Sequence, residues 1–272
     1  MKFLSDLHFA IIGAGNIGQM LLEKLLTLHV PANQLSVCDL DANRAKTSAA
    51  LAGCNVFDLT DLASCQASIW LLSVGPMATL PVLQTLSVHL KPGHIIISFA
   101  AAVPIRDLEE IVPKGVSVIR VMPNMPSLIG QGMNPLCFSP QTTKAAREIS
   151  LELLKQLGET VEVRDDQMNW CVGLSGAAMR SILPAVEGMI RAGVDAGLGQ
   201  EVARLVAAQV MLGTAGLVKH SSLSLEEIKK LTPMATLDET RVEQLFYDAA
   251  VGAKEKINQL QAKIIGDEIN AS

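Results

Sequence analysis

Aromatic side chains are scarce in this chain: six Phe, two Trp and one Tyr amount to 3% of 272 residues. The core must therefore be built from aliphatic residues and alanine, a composition that suits close helix packing. Disulfide chemistry is no better supplied. The five cysteines (Cys38, Cys54, Cys65, Cys137, Cys171) are odd in number, scattered and never spaced C-x-x-C, which reads as reduced thiols and excludes a disulfide frame or a cysteine zinc site. The five histidines (His8, His29, His89, His94, His220) form neither H-x-x-x-H nor H-x-x-E-H, so no metal is expected. Positive charge is not in excess either. A formal net charge of -5 argues against a nucleic-acid surface and against a polybasic membrane patch. With one early lysine and no cleavage pattern, the opening residues are not expected to act as a leader peptide. No apolar run is expected to reach the ~20 residues that a membrane helix needs. The expectation is a cytoplasmic protein with no nucleic-acid and no membrane partner.

Apolar bulk, by contrast, is plentiful. Hydrophobic residues make up 49% and charged residues 18%, enough for one large or two ordinary domains. The richest signal lies near the start. The apolar run His8-Phe9-Ala10-Ile11-Ile12 meets Gly13-Ala14-Gly15-Asn16-Ile17-Gly18, and helical spacing of Met20, Leu21, Leu22, Leu25 and Leu26 follows. A strand, then G-x-G-x-x-G, then a helix is the context that a dinucleotide-binding turn requires. Gly13 permits the tight turn, Gly15 lets backbone approach a pyrophosphate, and Gly18 lets the helix pack close on the sheet. The first-turn N–H groups and the positive end of the helix then face the phosphates.

The next strand spans 35–38 and ends at Asp39, 21 positions after Gly18. A carboxylate there hydrogen-bonds a free ribose 2′-hydroxyl and repels a 2′-phosphate. Arg44, one turn into the following helix, favours the opposite cofactor. A plainer role for Asp39 or Asp41 is to cap the helix that starts near Ala42. NAD and NADP both stay open.

Further strands are expected over 55–57, 68–74, 94–98, 116–121, 133–138 and 160–163. Helices are expected from Asp61, over 77–90, after Pro104 and over 142–157. That alternation implies right-handed crossovers and a mainly parallel sheet. Ligands on such a sheet bind beyond the carboxyl ends of its strands, which adds Ser73, Val74, Pro76, Ala100 and Asn124 to Gly13–Gly18 and Asp39 as candidate cofactor contacts. Past Arg164-Asp165-Asp166 only helical patterns remain, over 169–196, 200–219, 225–231 and 238–263. The fold class is α/β: an N-terminal Rossmann-type dinucleotide-binding domain over 1–165, followed by an all-helical domain over 166–272. The segment 206–216 is small and apolar on every side, and such a helix is buried all round. A second subunit is the expected cover, which makes the helical part a dimerisation domain.

Three stretches resemble the pyrroline-5-carboxylate reductase family: Arg120-Val121-Met122-Pro123-Asn124-Met125-Pro126, Ile97-Ser98-Phe99-Ala100-Ala101, and Gly173-Leu174-Ser175-Gly176. The likeness covers essentially the whole chain. It implies reduction of a cyclic imino acid, pyrroline-5-carboxylate, to proline by NADPH or NADH. It also implies a homodimer that builds larger rings, with Gly13–Gly18, Ser73–Pro76 and Asn124 lining the cofactor site. The chain departs from the family where substrate should bind. Ser175-Gly176-Ala177-Ala178-Met179-Arg180-Ser181 stands where the family usually has Ser-Gly-Ser-Gly-Pro-Ala-Tyr. Thr232-Pro233-Met234-Ala235-Thr236-Leu237 stands where it has Ser-Pro-Gly-Gly-Thr-Thr, and Val74-Gly75-Pro76 where it often has Val-Lys-Pro.

Imine reduction needs little acid–base chemistry, in keeping with a chain that offers no Ser-His-Asp or Cys-His set. Arg180, Thr232 and Thr236 are the candidates for holding the substrate carboxylate. Their plainer roles are a solvent-facing or Glu187-paired arginine and helix-capping threonines, Thr236 before the helix at 238. A β-hydroxyacid dehydrogenase shares this plan but needs a lysine on the long helix, and 169–196 contains none. A substrate-shifted or non-catalytic paralogue that still binds NAD(P) is the other alternative.

Overall fold

The computed structural model describes residues 4–232 and 234–266. The chain forms two compact units, 1–176 with 253–272, and 177–252.

The first unit is built on an eight-stranded sheet: β1 (Phe9–Ile12), β2 (Leu35–Cys38), β3 (Asn55–Val56), β4 (Ile69–Leu72), β5 (Ile95–Ser98), β6 (Ser117–Val121), β7 (Gly132–Phe138) and β8 (Gly158–Glu162). Their spatial order is β3-β2-β1-β4-β5-β6-β7-β8, and every pairing is parallel except β6 with β7. All residues of β1, β4, β5 and β6 are buried, as uninterrupted apolar strands must be when helices cover both faces. Alternation divides them. Phe9 and Ile11 join the core under α1 (Asn16–Thr27), α2 (Ala42–Ala52) and α5 (Lys144–Lys155). Ala10 and Ile12 join the core under α3 (Pro76–Ser87), α4 (Ile105–Ile111) and α6 (Met168–Cys171). The strand order reverses at β1, so the switch point lies beyond the ends of β1 and β4, where Ile12 pairs with Leu72.

Two expected helices differ. After Asp61 the chain makes only a 3-10 turn, Leu62–Ser64, whose Ser64 hydroxyl donates back to the Asp61 carbonyl at 2.8 Å. Such local side-chain bonds compete with helix propagation. The helix expected over 169–196 is α6, then a π-helical turn Val172–Ala177, then α7 (Ala178–Asp195). In that turn the Ser175 hydroxyl donates to the Cys171 carbonyl at 2.7 Å.

The compact units also part later than 165/166. Residues 165–176 pack on the sheet, Met168 is wholly buried, and the end of α10 (Glu239–Ile265) returns to this unit through Ile264. The cause is Arg120, the penultimate residue of β6, 1% exposed. Its Nη1 donates to Asp165 Oδ1 at 2.7 Å and its Nη2 to Asn169 Oδ1 at 3.2 Å. Asn169 Nδ2 donates onward to Asn258 Oδ1 at 3.0 Å and Gln261 Oε1 at 2.8 Å. Asp165 Oδ2 also accepts from the Ile105 N–H at 3.1 Å. A buried guanidinium is tolerated only when paired, so β6 recruits partners from the segment that follows the sheet.

The second unit is helical: α7, α8 (Gln200–His220), α9 (Leu225–Lys230) and the first part of α10. Gly193 lets α7 approach α8, since a Cβ there would lie 3.0 Å from that of Ala203. Ser224 and Glu227 form a reciprocal capping box at the start of α9. Ala203 and Ala207 are this unit's buried side chains among the described residues, while Val202, Leu205, Val206, Val210 and Leu212 are exposed. The expectation that no apolar segment reaches membrane-spanning length is corrected by α8. It runs 21 residues, with a mean hydropathy of 1.4 in its most apolar window. Alanine and glycine suit it equally to close packing against another helix.

Arg120→Ala would strand Asp165 and Asn169 without their partner. The expected loss is about 3 kcal/mol, the low end for a broken buried pair because Asp165 keeps some access to water. Denaturant unfolding of the two proteins measures it.

Candidate functional site

The turn after β1 is held by backbone. The Gly13 N–H donates to the Cys38 carbonyl at 2.8 Å, and the Ser73 hydroxyl donates to the Gly13 carbonyl at 2.7 Å. Gly13 has φ +100°, and a Cβ on it would lie 2.7 Å from the Ser73 carbonyl group. Gly18 sits in the first turn of α1, and a Cβ there would collide with the Gly13 carbonyl oxygen. Gly15 is different. Its φ is -75°, open to any residue, and apart from Gly15 itself and its two chain neighbours no protein atom lies within 4 Å of where its Cβ would be. Two glycines are thus required by the protein, and the third leaves a recess that a side chain would fill. Beside that recess stand Asn16, Ile17 and Gly18, whose N–H groups begin α1 and lack an acceptor within the helix. A pyrophosphate fits such a cradle.

Asp39 supports the same turn. Its Oδ2 accepts the Ala14 N–H at 2.7 Å and its Oδ1 the Asp41 N–H at 2.9 Å. The helix cap is Asp41 alone, which accepts from the N–H groups of Asn43 and Arg44. Arg44 approaches Asp39 at 3.6 Å and Asp41 at 3.8 Å.

The other strand ends reach the same rim. Ser73 follows β4, with Val74 and the Gly75 cap leading to Pro76, the first residue of α3. Ala100, after β5, is buried, and its N–H lies 3.4 Å from the Ser98 hydroxyl. Two residues on, Ala102 holds φ +63°, a left-handed conformation that alanine adopts at a cost, and such strain gathers at functional loops. Asn124 follows β6 with both ends of its carboxamide engaged. Its Oδ1 accepts the Met133 N–H at 2.9 Å, and its Nδ2 donates to the Ser175 carbonyl at 3.3 Å. It staples the loop after β6 to the π-helical turn. The first unit therefore brings Gly13–Gly18, Asp39, Ser73, Val74 and Pro76 to the β1/β4 switch point, with Ala100 and Asn124 on neighbouring strand ends.

Arg180, Thr232 and Thr236 belong to the second unit, and all three are exposed. Thr232 lies two residues past the end of α9, with its N–H on the Lys229 carbonyl at 3.1 Å. Thr236 does not cap α10. Asp238 does, accepting the Arg241 N–H at 3.1 Å, because it is the residue directly before Glu239. Burial raises the pKa of all five thiols, that of Cys38 to about 11 and that of Cys137 to about 12. Among the described residues no group of acids, histidines and cysteines could hold a metal.

Sequence reasoning missed the Arg120 network and the Asp39–Ala14 bond. The first had a signal, a lone arginine inside an apolar strand. The second had none, for nothing local marks a bond spanning 25 residues.

Comparison with known proteins adds relatives. The family described as pyrroline-5-carboxylate reductase dimerisation matches residues 165–260. The family described as NADP oxidoreductase, coenzyme F420-dependent, matches residues 8–102. A pyrroline-5-carboxylate reductase of Pseudomonas aeruginosa is 31% identical over 228 residues, 84% of each chain. One from Methanosarcina acetivorans is 27% identical over 96% of this chain and 100% of its own. The fold is shared with Plasmodium falciparum pyrroline carboxylate reductase with NADP bound, at a TM-score of 0.80 and 20% identity, covering 94% of this chain and 99% of that one.

The three glycines make separable predictions. Gly18→Ala forces the turn off the Gly13 carbonyl and should lower both thermal stability and cofactor affinity. Gly15→Ala meets no protein atom, so it should melt with the parent while losing about tenfold or more in cofactor affinity. Parallel melting curves and cofactor titrations separate the two.

Proposed function

Because the chain belongs to the pyrroline-5-carboxylate reductase family, we propose that it transfers hydride from NAD(P)H to a cyclic imine carboxylate, giving proline from pyrroline-5-carboxylate. The observation that carries the reading is the relationship at 31% identity over 84% of both chains. The glycine turn, with its open recess at Gly15, supports it independently.

When bound, the reduced nicotinamide supplies the hydride. The chain's own task is to position. A protonated C=N group already accepts hydride well, and holding reactants in register lowers a barrier by at most roughly 7–11 kcal/mol. Gly13, Ala14, Gly15, Asn16, Ile17, Gly18, Asp39, Ser73, Val74, Pro76 and Ala100 are assigned to the cofactor. Asn124 acts beside them as the staple of its loop. Arg180, Thr232 and Thr236 are assigned to the substrate carboxylate, Arg180 as a bidentate donor that replaces the family's glycine-rich turn. The exposed apolar residues of α8 and the dimerisation match at 165–260 support a homodimer, extended to larger rings by the family likeness. Five free thiols support a reduced, cytoplasmic setting. A β-hydroxyacid dehydrogenase is disfavoured because α7 carries no lysine.

Loss of reduced-nicotinamide absorbance on adding pyrroline-5-carboxylate, with NADH and NADPH in parallel, tests this directly. Oxidation of either is expected. Binding of cofactor without oxidation would replace the reading with a substrate-shifted or non-catalytic paralogue. Arg180→Ala should raise KM for the imino acid by about tenfold or more, as loss of a charge-assisted bidentate contact would; an unchanged KM removes Arg180 from the site.

A further inference from the structure

We infer that this chain selects NADH over NADPH, using a carboxylate that the glycine turn itself locks in place. The inference rests on the cofactor site proposed above, with the adenine ribose at the end of β2.

Asp39 is not a free arm at that position. Its side chain is 8% exposed, and each oxygen already holds a backbone N–H, Ala14 on Oδ2 and Asp41 on Oδ1. Swinging it aside would strip the acceptor from the Ala14 N–H, in a residue 1% exposed between the two turn glycines. Each carboxylate oxygen has a further lone pair, so a ribose hydroxyl is accepted without breaking either bond. A 2′-phosphate offers no proton in exchange and brings a charge of about -2.

The surrounding charges add to the exclusion. Asp41 is fixed as well, because its Oδ1 caps α2. Arg44 is the cation of this corner, and it is shared between the two acids at 3.6 and 3.8 Å. Two carboxylates against one guanidinium leave a net charge of -1. Arg44 is half exposed and can turn outward, but a phosphate that it followed would still face two anions that cannot retreat. The NADP in the Plasmodium falciparum structure belongs to a protein only 20% identical to this one.

Calorimetric titration of the full chain with NADH and with NADPH, at low salt and without imino acid, is the test. NADH should bind about tenfold or more tightly, the scale of one charge pair at partly exposed distance. Equal affinity, or tighter NADPH, overturns the inference. Asp39→Asn should shrink the ratio by about fivefold or more by weakening NADH and strengthening NADPH. Asp41→Asn keeps the capping oxygen, so it serves if the first variant does not fold. It should strengthen NADPH by about threefold or more, and an unmoved NADPH affinity contradicts the electrostatic cause. The two readings fail separately: bound NADH that is never oxidised by pyrroline-5-carboxylate sinks the proposed function and leaves the selectivity standing. Binding of neither nucleotide sinks both.

Discussion

Backbone pressed against backbone at Gly13, Gly18 and Ser73 is the constraint on which the functional half depends. Atoms this close leave the turn one conformation, and the Ser73 hydroxyl fastens it to the end of β4. Everything assigned to the cofactor is placed relative to that contact. The start of α1 is aimed because Gly18 fits under the Gly13 carbonyl, and Asp39 is held because the Ala14 N–H faces it. Gly15 alone is unconstrained by the protein, and it is the position that a ligand must approach.

Arg120 sets a second constraint farther along the sheet. Burying it in β6 obliges the chain to bring Asp165 and Asn169 onto the sheet, and through Asn169 the end of α10. The loop after β6 and the π-helical turn are then joined through Asn124 and Ser175. Neither link involves apolar area. They are hydrogen bonds whose loss leaves buried polar atoms unsatisfied, which makes the arrangement specific rather than merely stable.

Much of this was legible in the sequence. The inner strands β1, β2, β4, β5 and β6 lie where apolar runs place them, because buried parallel strands have few other ways to be written, while β3 and β8 are exposed edge strands. The glycine roles at 13 and 18 and the spacing to Asp39 were legible for the same reason, as local patterns with one physical use. Long-range pairings were not. Arg120 meets Asp165 across 45 positions and Asn169 across 49, so nothing local in the sequence showed that the compact unit built on the sheet runs on to Gly176. The capping of α10 by Asp238 instead of Thr236 was a near choice that only the first helical residue decides. The bounds of α8 were legible to within a residue, but its overall hydropathy was underestimated because Glu201, Arg204, Gln209 and Lys219 interrupt the apolar residues.

Hydride delivery to an imine carbon is the claim on which the functional reading stands, and isotopic labelling tests it most directly. Pyrroline-5-carboxylate is incubated with the chain and a reduced nicotinamide dinucleotide carrying deuterium on both hydrogens of C4. Proline with one deuterium at C5, located by mass spectrometry, is the predicted product. Proline without label, or no proline while the dinucleotide stays bound and reduced, would contradict it.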